Sequence, residues 1–101
     1  MAEEYKDAVA VAPDVYKVLF ENDKVRVLDV RVAPGGKTDM HYHPEYVFYT
    51  FTQTDMKFTQ PDGHAEDVSM PPHVLTPLLE GPHTAENVGS TEGHGLMIEF
   101  K

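Results

Sequence analysis

The sequence predicts an all-β domain, a barrel or sandwich of two antiparallel sheets. Three observations support this prediction. Short stretches rich in β-branched and aromatic residues are separated by turn residues, and no stretch carries the apolar repeat of a convincing helix. The chain has 101 residues, which leaves no room for a second hydrophobic core. We therefore treat it as one domain.

Composition narrows the function classes. Apolar residues make up 41% of the chain and charged residues 25%, the balance of an ordinary globular protein. The absence of cysteine excludes disulfides, thiolate ligands and cysteine nucleophiles. Eight basic and seventeen acidic residues give a net charge of −9, which argues against binding to nucleic acid or to an anionic membrane.

The N-terminal residues predict a location. Residues 1–7 are acidic where a secretory signal would be basic and then apolar, and no apolar run is long enough to cross a membrane. We expect the cytoplasm.

Residues 1–12 are predicted to be an N-terminal arm, and residues 13–101 the barrel. The apolar stretch 8–12 is either a short edge strand or a mobile arm that ends at Pro13. Such an arm is a candidate for pairing with a neighbouring subunit, so we expect a homodimer. A disordered tail is the alternative.

The first two strands are predicted at residues 16–20 and 24–32, on either side of the turn at 21–23. The apolar residues of the second strand change phase between Val27 and Leu28. A phase change indicates a bulge, or a strand that passes between two sheets.

The later strands follow the same pattern of short apolar stretches and turns. They are predicted at residues 41–43, 46–53, 56–60, 65–70, 84–88 and 96–100. Residues 74–79 contain Pro77, which cannot donate to a strand ladder, so this segment is predicted to lie at a sheet edge. One face of the strand 46–53 is predicted to line the barrel: Val47, Tyr49, Phe51 and Gln53.

Three histidines form a candidate metal site. His41 and His43 are two residues apart, which places both side chains on one face of a strand, about 6–7 Å apart along the backbone. His83 is a third candidate in another predicted strand. Three imidazoles are a ligand set for a metal held inside a barrel, although His41 and His43 alone also fit an ordinary polar face.

The same residues resemble the motifs of the cupin family. Gly36 followed five positions later by His41 and then His43 resembles the first half of the first cupin motif, and His83 followed four positions later by Asn87 resembles the end of the second. Residues 13–101 are similar to one small bacterial cupin of the type associated with β-alanine degradation. The resemblance implies a cupin double-stranded β-helix that holds one divalent transition metal ion: iron, nickel, copper, manganese or zinc.

The sequence departs from the cupin pattern at one position that affects the site. The family usually supplies a glutamate four or five residues after the second histidine, where Val47 and Phe48 stand here. Glu45 lies in the turn behind Pro44 instead. The resemblance therefore implies three histidine ligands with open positions, a site that favours an anionic chelating ligand.

Other candidate site residues are fewer. We predict Tyr49, Gln53 and Glu45 as catalytic candidates, and the sequence leaves open whether Glu45 or His73 joins the site. His64 and His94 are predicted to lie at the surface, and Asn87 to tie down a turn or a neighbouring strand.

Function follows from the metal if the protein is an enzyme, because no serine nucleophile, phosphate-binding loop or dinucleotide motif is present. The resemblance implies a dioxygenase-like oxidoreductase acting on a small organic acid or carbonyl compound. The alternatives are a cupin that binds a small molecule or metal without catalysis, and a metal-dependent isomerase or lyase.

Overall fold

A computed structural model describes residues 5–101 of the chain, and these residues form an all-β fold with one helical turn. The elements are α1 (Ala8–Val11), β1 (Tyr16–Glu21), β2 (Val25–Val32), β3 (His41–His43), β4 (Tyr46–Thr50), β5 (Thr54–Thr59), β6 (Ala65–Met70), β7 (Leu75–Leu78), β8 (Gly81–Asn87) and β9 (Gly93–Phe100). Within this part of the chain, no helix is long and apolar enough to span a membrane. The predicted fold class is confirmed.

The strands form two antiparallel sheets. The larger has five strands in the order β1-β2-β9-β4-β7, and the smaller has four in the order β3-β8-β5-β6. Strand β7 contains Pro77 and lies at an edge of the larger sheet, as predicted. Strand β3, which carries His41 and His43, lies at an edge of the smaller sheet.

The core lies between the two sheets. Its fully or almost fully buried apolar residues come from both sheets and from α1: Ala8, Tyr16, Leu28, Val30, Val32, Tyr46, Phe48, Met56, Met70, Ala85 and Met97. Successive strand residues point to opposite faces, so the buried residues alternate with more exposed ones along β2, β4 and β9.

The prediction of which residues of β4 point into the barrel is wrong by one position. In β4 the buried residues are Tyr46, Phe48 and Thr50, while Val47 and Tyr49 lie on the outer face. Gly95 of β9 explains this phase, because a Cβ there would lie 2.7 Å from the ring of Phe48. The Phe48 ring therefore packs where Gly95 has no side chain, and its neighbours in β4 must point outward.

The bulge lies on a different strand from the one predicted. Strand β2 pairs without interruption along its whole length with β9. The irregularity occurs in β1, between Val18 and Phe20, where Leu19 is the extra residue. The phase change in the sequence of β2 therefore did not mark a bulge in that strand.

The N-terminal segment packs against its own chain. Residues 8–11 form a helical turn instead of an edge strand, and Asp7 caps it by accepting a hydrogen bond from the backbone N–H of Val9. Ala8 is fully buried. Residues 1–4 of the predicted arm lie outside the described residues.

Candidate metal centre

The pairing of β3 with β8 brings the three histidines together. His41 lies directly opposite His83 in the antiparallel register, and His43 lies opposite Gly81. Because His41 and His43 are two residues apart, all three side chains lie on the inner face of the smaller sheet. One ring nitrogen from each histidine lies within 4.8 Å of the others. Gly81 has φ +149°, a backbone conformation that favours glycine, at the start of β8.

The backbone fixes the proton of His41 on one ring nitrogen. The ring is fully buried, and its Nδ1 lies 2.8 Å from the carbonyl oxygen of Asp39. A carbonyl oxygen only accepts hydrogen bonds, so Nδ1 carries the proton and Nε2 presents a lone pair. The hydroxyl of Tyr16 lies 3.2 Å from this Nε2 and donates to it.

A carboxylate fixes the proton of His43 in the same way. Nδ1 of the fully buried ring lies 2.9 Å from Oε2 of Glu99 and donates to it. In the neutral ring that metal binding needs, the Nε2 atom presents a lone pair, and it lies 3.0 Å from Nε2 of His41. Two lone pairs at this distance repel each other unless a positive charge lies beside them.

His83 completes a set of atoms suited to a cation. Its Nε2 is buried and has no hydrogen-bond partner among residues 5–101. An unsatisfied buried polar atom costs about 1–3 kcal/mol. A single metal ion that accepts the three Nε2 lone pairs satisfies His83 and removes the repulsion between His41 and His43. The donor set thus fits a transition metal ion.

Burial keeps His41 and His83 in the neutral form that metal binding needs. Burial lowers the pKa of His41 to about 4, and the neighbouring His43 adds to the effect. Burial, with His43 and His41 nearby, lowers the pKa of His83 to about 3. The ordinary imidazole value is about 6.5, so both rings stay neutral at pH 7.

Aromatic side chains separate the histidines from water. The rings of Tyr16 and Tyr46 contact His43 with centroids 5.2 and 5.0 Å away, and Phe58 contacts His83 at 4.8 Å. Burial raises the pKa of both tyrosine hydroxyls well above the ordinary value, so they remain protonated donors.

Glu99 is the functional candidate that the sequence analysis missed. It lies in β9 with a side chain that is 2% exposed, and it divides its two carboxylate oxygens between His43 and Arg26. The expected glutamate is indeed absent from β4, since Val47 points outward. The last strand supplies a carboxylate beside His43 instead. The apolar residues before it, Leu96, Met97 and Ile98, fit either face of β9, so the sequence carried no signal that placed Glu99 inside.

The predicted catalytic residues lie elsewhere. The hydroxyl of Tyr49 pairs with Nδ1 of His73 on the outer side of the larger sheet. The side-chain amide of Gln53 donates to Asp55 and Ser69. Glu45 is exposed in the turn before β4. The structure brings none of these three into hydrogen-bond contact with the histidine cluster.

The remaining predictions concern the other histidines and Asn87. His73 is exposed and pairs with Tyr49, and His64 has a side chain that is 60% exposed. His94 is only partly exposed, since it pairs with Asp29. Asn87 is buried and donates to the carbonyl oxygens of Val32 and Thr91, which confirms its predicted role in tying down a turn and a neighbouring strand.

Two spaces adjoin His83. A cavity of about 30 Å³ inside the barrel, lined by His83, Tyr16 and Tyr46 among others, has room for about one water molecule. A cleft of about 440 Å³ opens between the β6 and β7 edges of the two sheets and also reaches His83. The cleft is the larger of these two spaces, and His83 is the histidine of the cluster that lines it.

The cleft has apolar walls and acidic charge. Its lining includes Phe58, Val68 and Leu78, with Glu66 and Glu80 as the charged residues. No lysine or arginine is among the residues that line it. Its field therefore disfavours an anion.

Comparison with known proteins identifies the fold. No protein-family model matches the sequence, and no curated protein matches it. A cupin domain from Bordetella pertussis Tohama I is similar over 86% of this chain and 92% of its own, with 29% identity and a TM-score of 0.76. A protein from Klebsiella pneumoniae with a double-stranded β-helix domain is similar over 83% of this chain and 69% of its own, at 17% identity and a TM-score of 0.65.

A third similar structure is an enzyme. The polyketide cyclase RemF from Streptomyces resistomycificus is similar over 84% of this chain and 63% of its own, with 22% identity and a TM-score of 0.58. Together these likenesses show that the chain has the cupin double-stranded β-helix fold.

Proposed function

We propose that the protein is a metal-dependent cupin enzyme with dioxygenase-like activity on a small carbonyl compound. The observation that carries the proposal is the convergence of three buried imidazole Nε2 atoms, of which that of His83 has no partner among the described residues. The likeness of the motifs to cupins associated with β-alanine degradation also favours a small metabolite as the ligand.

Three neutral nitrogen ligands suit iron, nickel, copper, manganese or zinc. Such an ion would supply Lewis-acid polarisation of a carbonyl oxygen and, if redox-active, electron exchange with dioxygen. In a dioxygenase reaction that cleaves a carbon–carbon bond, both oxygen atoms enter the organic products and the substrate supplies all four electrons, so no external reductant is needed. The fully neutral ligand set leaves the whole charge of the ion available to the substrate.

The chain's own residues orient the ligands and exclude water. Asp39 and Glu99 hold the His41 and His43 rings so that their Nε2 atoms face inward. The Tyr16 hydroxyl is a protonated donor beside His41 and is the group we propose to hydrogen-bond a substrate oxygen. The rings of Tyr46 and Phe58 cover His43 and His83 on other sides.

The cleft favours carbonyl compounds without a net negative charge. The anionic chelating ligand expected from the sequence would have to pass Glu66 and Glu80, with no basic side chain in the lining to offset them. A neutral diketone or a related enolisable ketone meets apolar walls instead. We therefore place neutral carbonyl compounds ahead of organic acids as substrates.

Non-oxidative chemistry and simple binding are the alternatives. A fold neighbour is a polyketide cyclase, which favours an isomerase or lyase reaction on a carbonyl-rich substrate as the second candidate. Both carboxylate oxygens of Glu99 are already engaged, which leaves the hydroxyls of Tyr16 and Tyr46 as donors beside the cluster among the residues described. This shortage of acid–base groups supports a non-catalytic binding protein as the third.

One assay separates the three. Tag-free protein charged with each metal in turn is mixed with neutral diketones, keto acids and simple ketones while oxygen uptake and products are measured in air and under argon. Oxygen uptake that matches product formation, and that Tyr16→Phe slows, supports the dioxygenase. Product formed equally under argon would favour the isomerase or lyase. Ligand binding without product in either gas would leave the binding protein.

We also propose that the protein forms a homodimer through the outer face of the larger sheet. One apolar residue from each of the five strands aligns there in register: Phe20, Val27, Ile98, Val47 and Pro77. This row carries no charge in a chain of net charge −9, so two copies meet there with little repulsion. Ile98→Lys should give a monomer by light scattering, while Leu79→Lys, at a residue 85% exposed elsewhere, should not.

A further inference from the structure

We propose that the N-terminal segment, residues 5–12, is energetically coupled to the metal centre, and that Asp7 is a positioning residue for His43. The inference rests on metal binding by the three histidines, as in the proposed function. Four side chains connect the segment to the site: Asp7, Arg26, Glu99 and His43. They belong to the N-terminal segment, β2, β9 and β3.

The first link is a two-point ion pair. Both terminal nitrogens of Arg26 donate to Asp7, at 2.7 Å to Oδ1 and 3.1 Å to Oδ2. Bidentate pairs between arginine and a carboxylate hold both partners in one orientation. Burial would raise the pKa of Asp7, but Arg26 outweighs this effect and lowers it, so Asp7 is ionised at neutral pH.

The second link lies deeper in the protein. Arg26 is 15% exposed and Glu99 2% exposed, and the Nε of Arg26 donates to Oε1 of Glu99 at 2.7 Å. Oε2 of the same carboxylate accepts from Nδ1 of His43. Because Glu99 divides its oxygens in this way, the position of the guanidinium sets the position of the carboxylate that holds the His43 ring.

Asp7 and Glu99 attract the Arg26 guanidinium from two sides. With both carboxylates present, the guanidinium is held between them. Without the charge of Asp7, the buried guanidinium has Glu99 as its one remaining carboxylate partner among the contacts described. The Glu99 carboxylate then shifts towards Arg26, and the hydrogen bond to His43 weakens.

A backbone contact links the same two regions independently. The N–H of Tyr42, the residue between His41 and His43, donates to the carbonyl oxygen of Lys6 at 2.9 Å. The N-terminal segment thus covers the free edge of the strand that carries two of the histidines. The segment therefore contacts the site in two ways, through the side chains from Asp7 to His43 and through this backbone hydrogen bond. An isolated ion pair at the surface would not explain both.

Coupling between two sites is reciprocal. If Asp7 strengthens metal binding, then metal binding must stabilise the docked N-terminal segment by the same factor. A purely structural role for Asp7 would lower stability equally with and without metal, whereas coupling predicts that zinc slows exchange at residues 8–12 less in Asp7→Asn than in the wild type.

The test compares Asp7→Asn with Asp29→Asn. Asparagine keeps the size of Asp7 and can still cap α1, so it removes the charge and spares the helical turn. Asp29 is the matched control, since it pairs with Arg31 and His94 away from the cluster. Zinc affinity is measured by competition with a chromogenic chelator, and hydrogen exchange at residues 8–12 is followed with and without zinc.

We expect Asp7→Asn to weaken zinc binding by roughly three- to tenfold, below the 10–100-fold typical of a direct partner of a ligand. Zinc should slow exchange at residues 8–12 in the wild type and do so less in Asp7→Asn. Asp29→Asn should match the wild type in both. In a Glu99→Gln background, Asp7→Asn should have little further effect on zinc affinity. The series of contacts from Asp7 through Arg26 and Glu99 to His43 is already interrupted at Glu99 in that background.

Three results would overturn the coupling: zinc affinity of Asp7→Asn within twofold of the wild type, zinc-induced protection equal in both, or an undiminished effect of Asp7→Asn beside Glu99→Gln. A wild type that binds no metal would overturn both this inference and the proposed function. Normal coupling in a protein with no turnover would count against the proposed enzyme alone.

Discussion

Two histidine–carboxylate pairs in this protein have nearly the same length and different consequences. His43 lies 2.9 Å from Glu99, and His94 lies 2.8 Å from Asp29. The first pair is 0% and 2% exposed, and the second 19% and 21%. Distance alone therefore does not distinguish a histidine of the buried cluster from one near the surface.

The ring nitrogen that the carboxylate occupies makes the difference. Glu99 takes Nδ1 of His43, which leaves Nε2 to face His41 inside the barrel. Asp29 takes Nε2 of His94, the nitrogen farther from the backbone. Here the carboxylate at Nδ1 leaves Nε2 of His43 facing the other histidines, whereas the carboxylate at Nε2 of His94 lies near the surface.

The largest effect expected of a substitution at pH 7 is on the free energy of unfolding, when Glu99 and Asp29 are each replaced by alanine. Glu99→Ala leaves the buried Nδ1–H of His43 unpaired and leaves Arg26 with Asp7 as its carboxylate partner, so it should lower the free energy of unfolding by about 1–3 kcal/mol. Asp29→Ala removes a partly exposed pair and should cost about 1 kcal/mol or less. Urea unfolding at pH 7 measures both. Equal losses would show that the buried pair is not energetically distinct.

A separate effect is the pH dependence of the metal-free protein. The folded pKa values of His41 and His83 are about 4 and about 3, below the ordinary value, so the unfolded chain binds protons that the folded chain does not between pH 6.5 and 4. Stability should therefore fall as pH drops from 7 to 4.5, by about 2.5 kcal/mol for each histidine and about 5 kcal/mol in total.

Substitutions at two histidines sharpen this prediction. His83→Gln removes one of the low pKa values and should flatten the pH dependence, while His94→Gln should leave it close to that of the wild type. Urea unfolding in the presence of a chelator, repeated at each pH, gives the slope. A slope that falls equally in both variants would contradict the assignment of the low pKa values to the buried cluster.

The smallest effects are expected outside the barrel. Tyr49→Phe loses one hydrogen bond to His73 and should cost about 1 kcal/mol or less, and Gln53→Ala and Glu45→Ala should cost no more. None of the three should change zinc affinity by more than twofold, because none contacts the cluster. A tenfold loss of affinity in any of them would mean that the site extends to the outer face.

The fold and the His41–His43 half of the histidine cluster could be predicted from local pattern. Short apolar stretches between turn residues indicated strands, and the two-residue spacing of His41 and His43 placed them on one face. His83 was found by its resemblance to a second motif. The register of β3 against β8, which sets His83 opposite His41, follows from sheet pairing and not from spacing.

The rest depended on contacts between residues far apart in sequence. Phe48 faces inward because Gly95, in another strand, leaves space for its ring. Asp7, Arg26, Glu99 and His43 are joined by side-chain contacts although they are far apart in the sequence. In the sequence, each of the three charged residues among them resembles an ordinary surface charge. Glu99 in particular follows three apolar residues whose alternation fits either face of β9.

The central claim is that His41, His43 and His83 bind one metal ion, and metal content tests it most directly. Tag-free protein is incubated with excess zinc or iron, passed over a desalting column and analysed for metal by mass spectrometry. We expect about one ion per chain in the wild type and in His94→Gln, and a small fraction of that in His83→Gln, with circular dichroism confirming that all three are folded. Full occupancy in folded His83→Gln, or none in the wild type, would contradict the three-histidine centre.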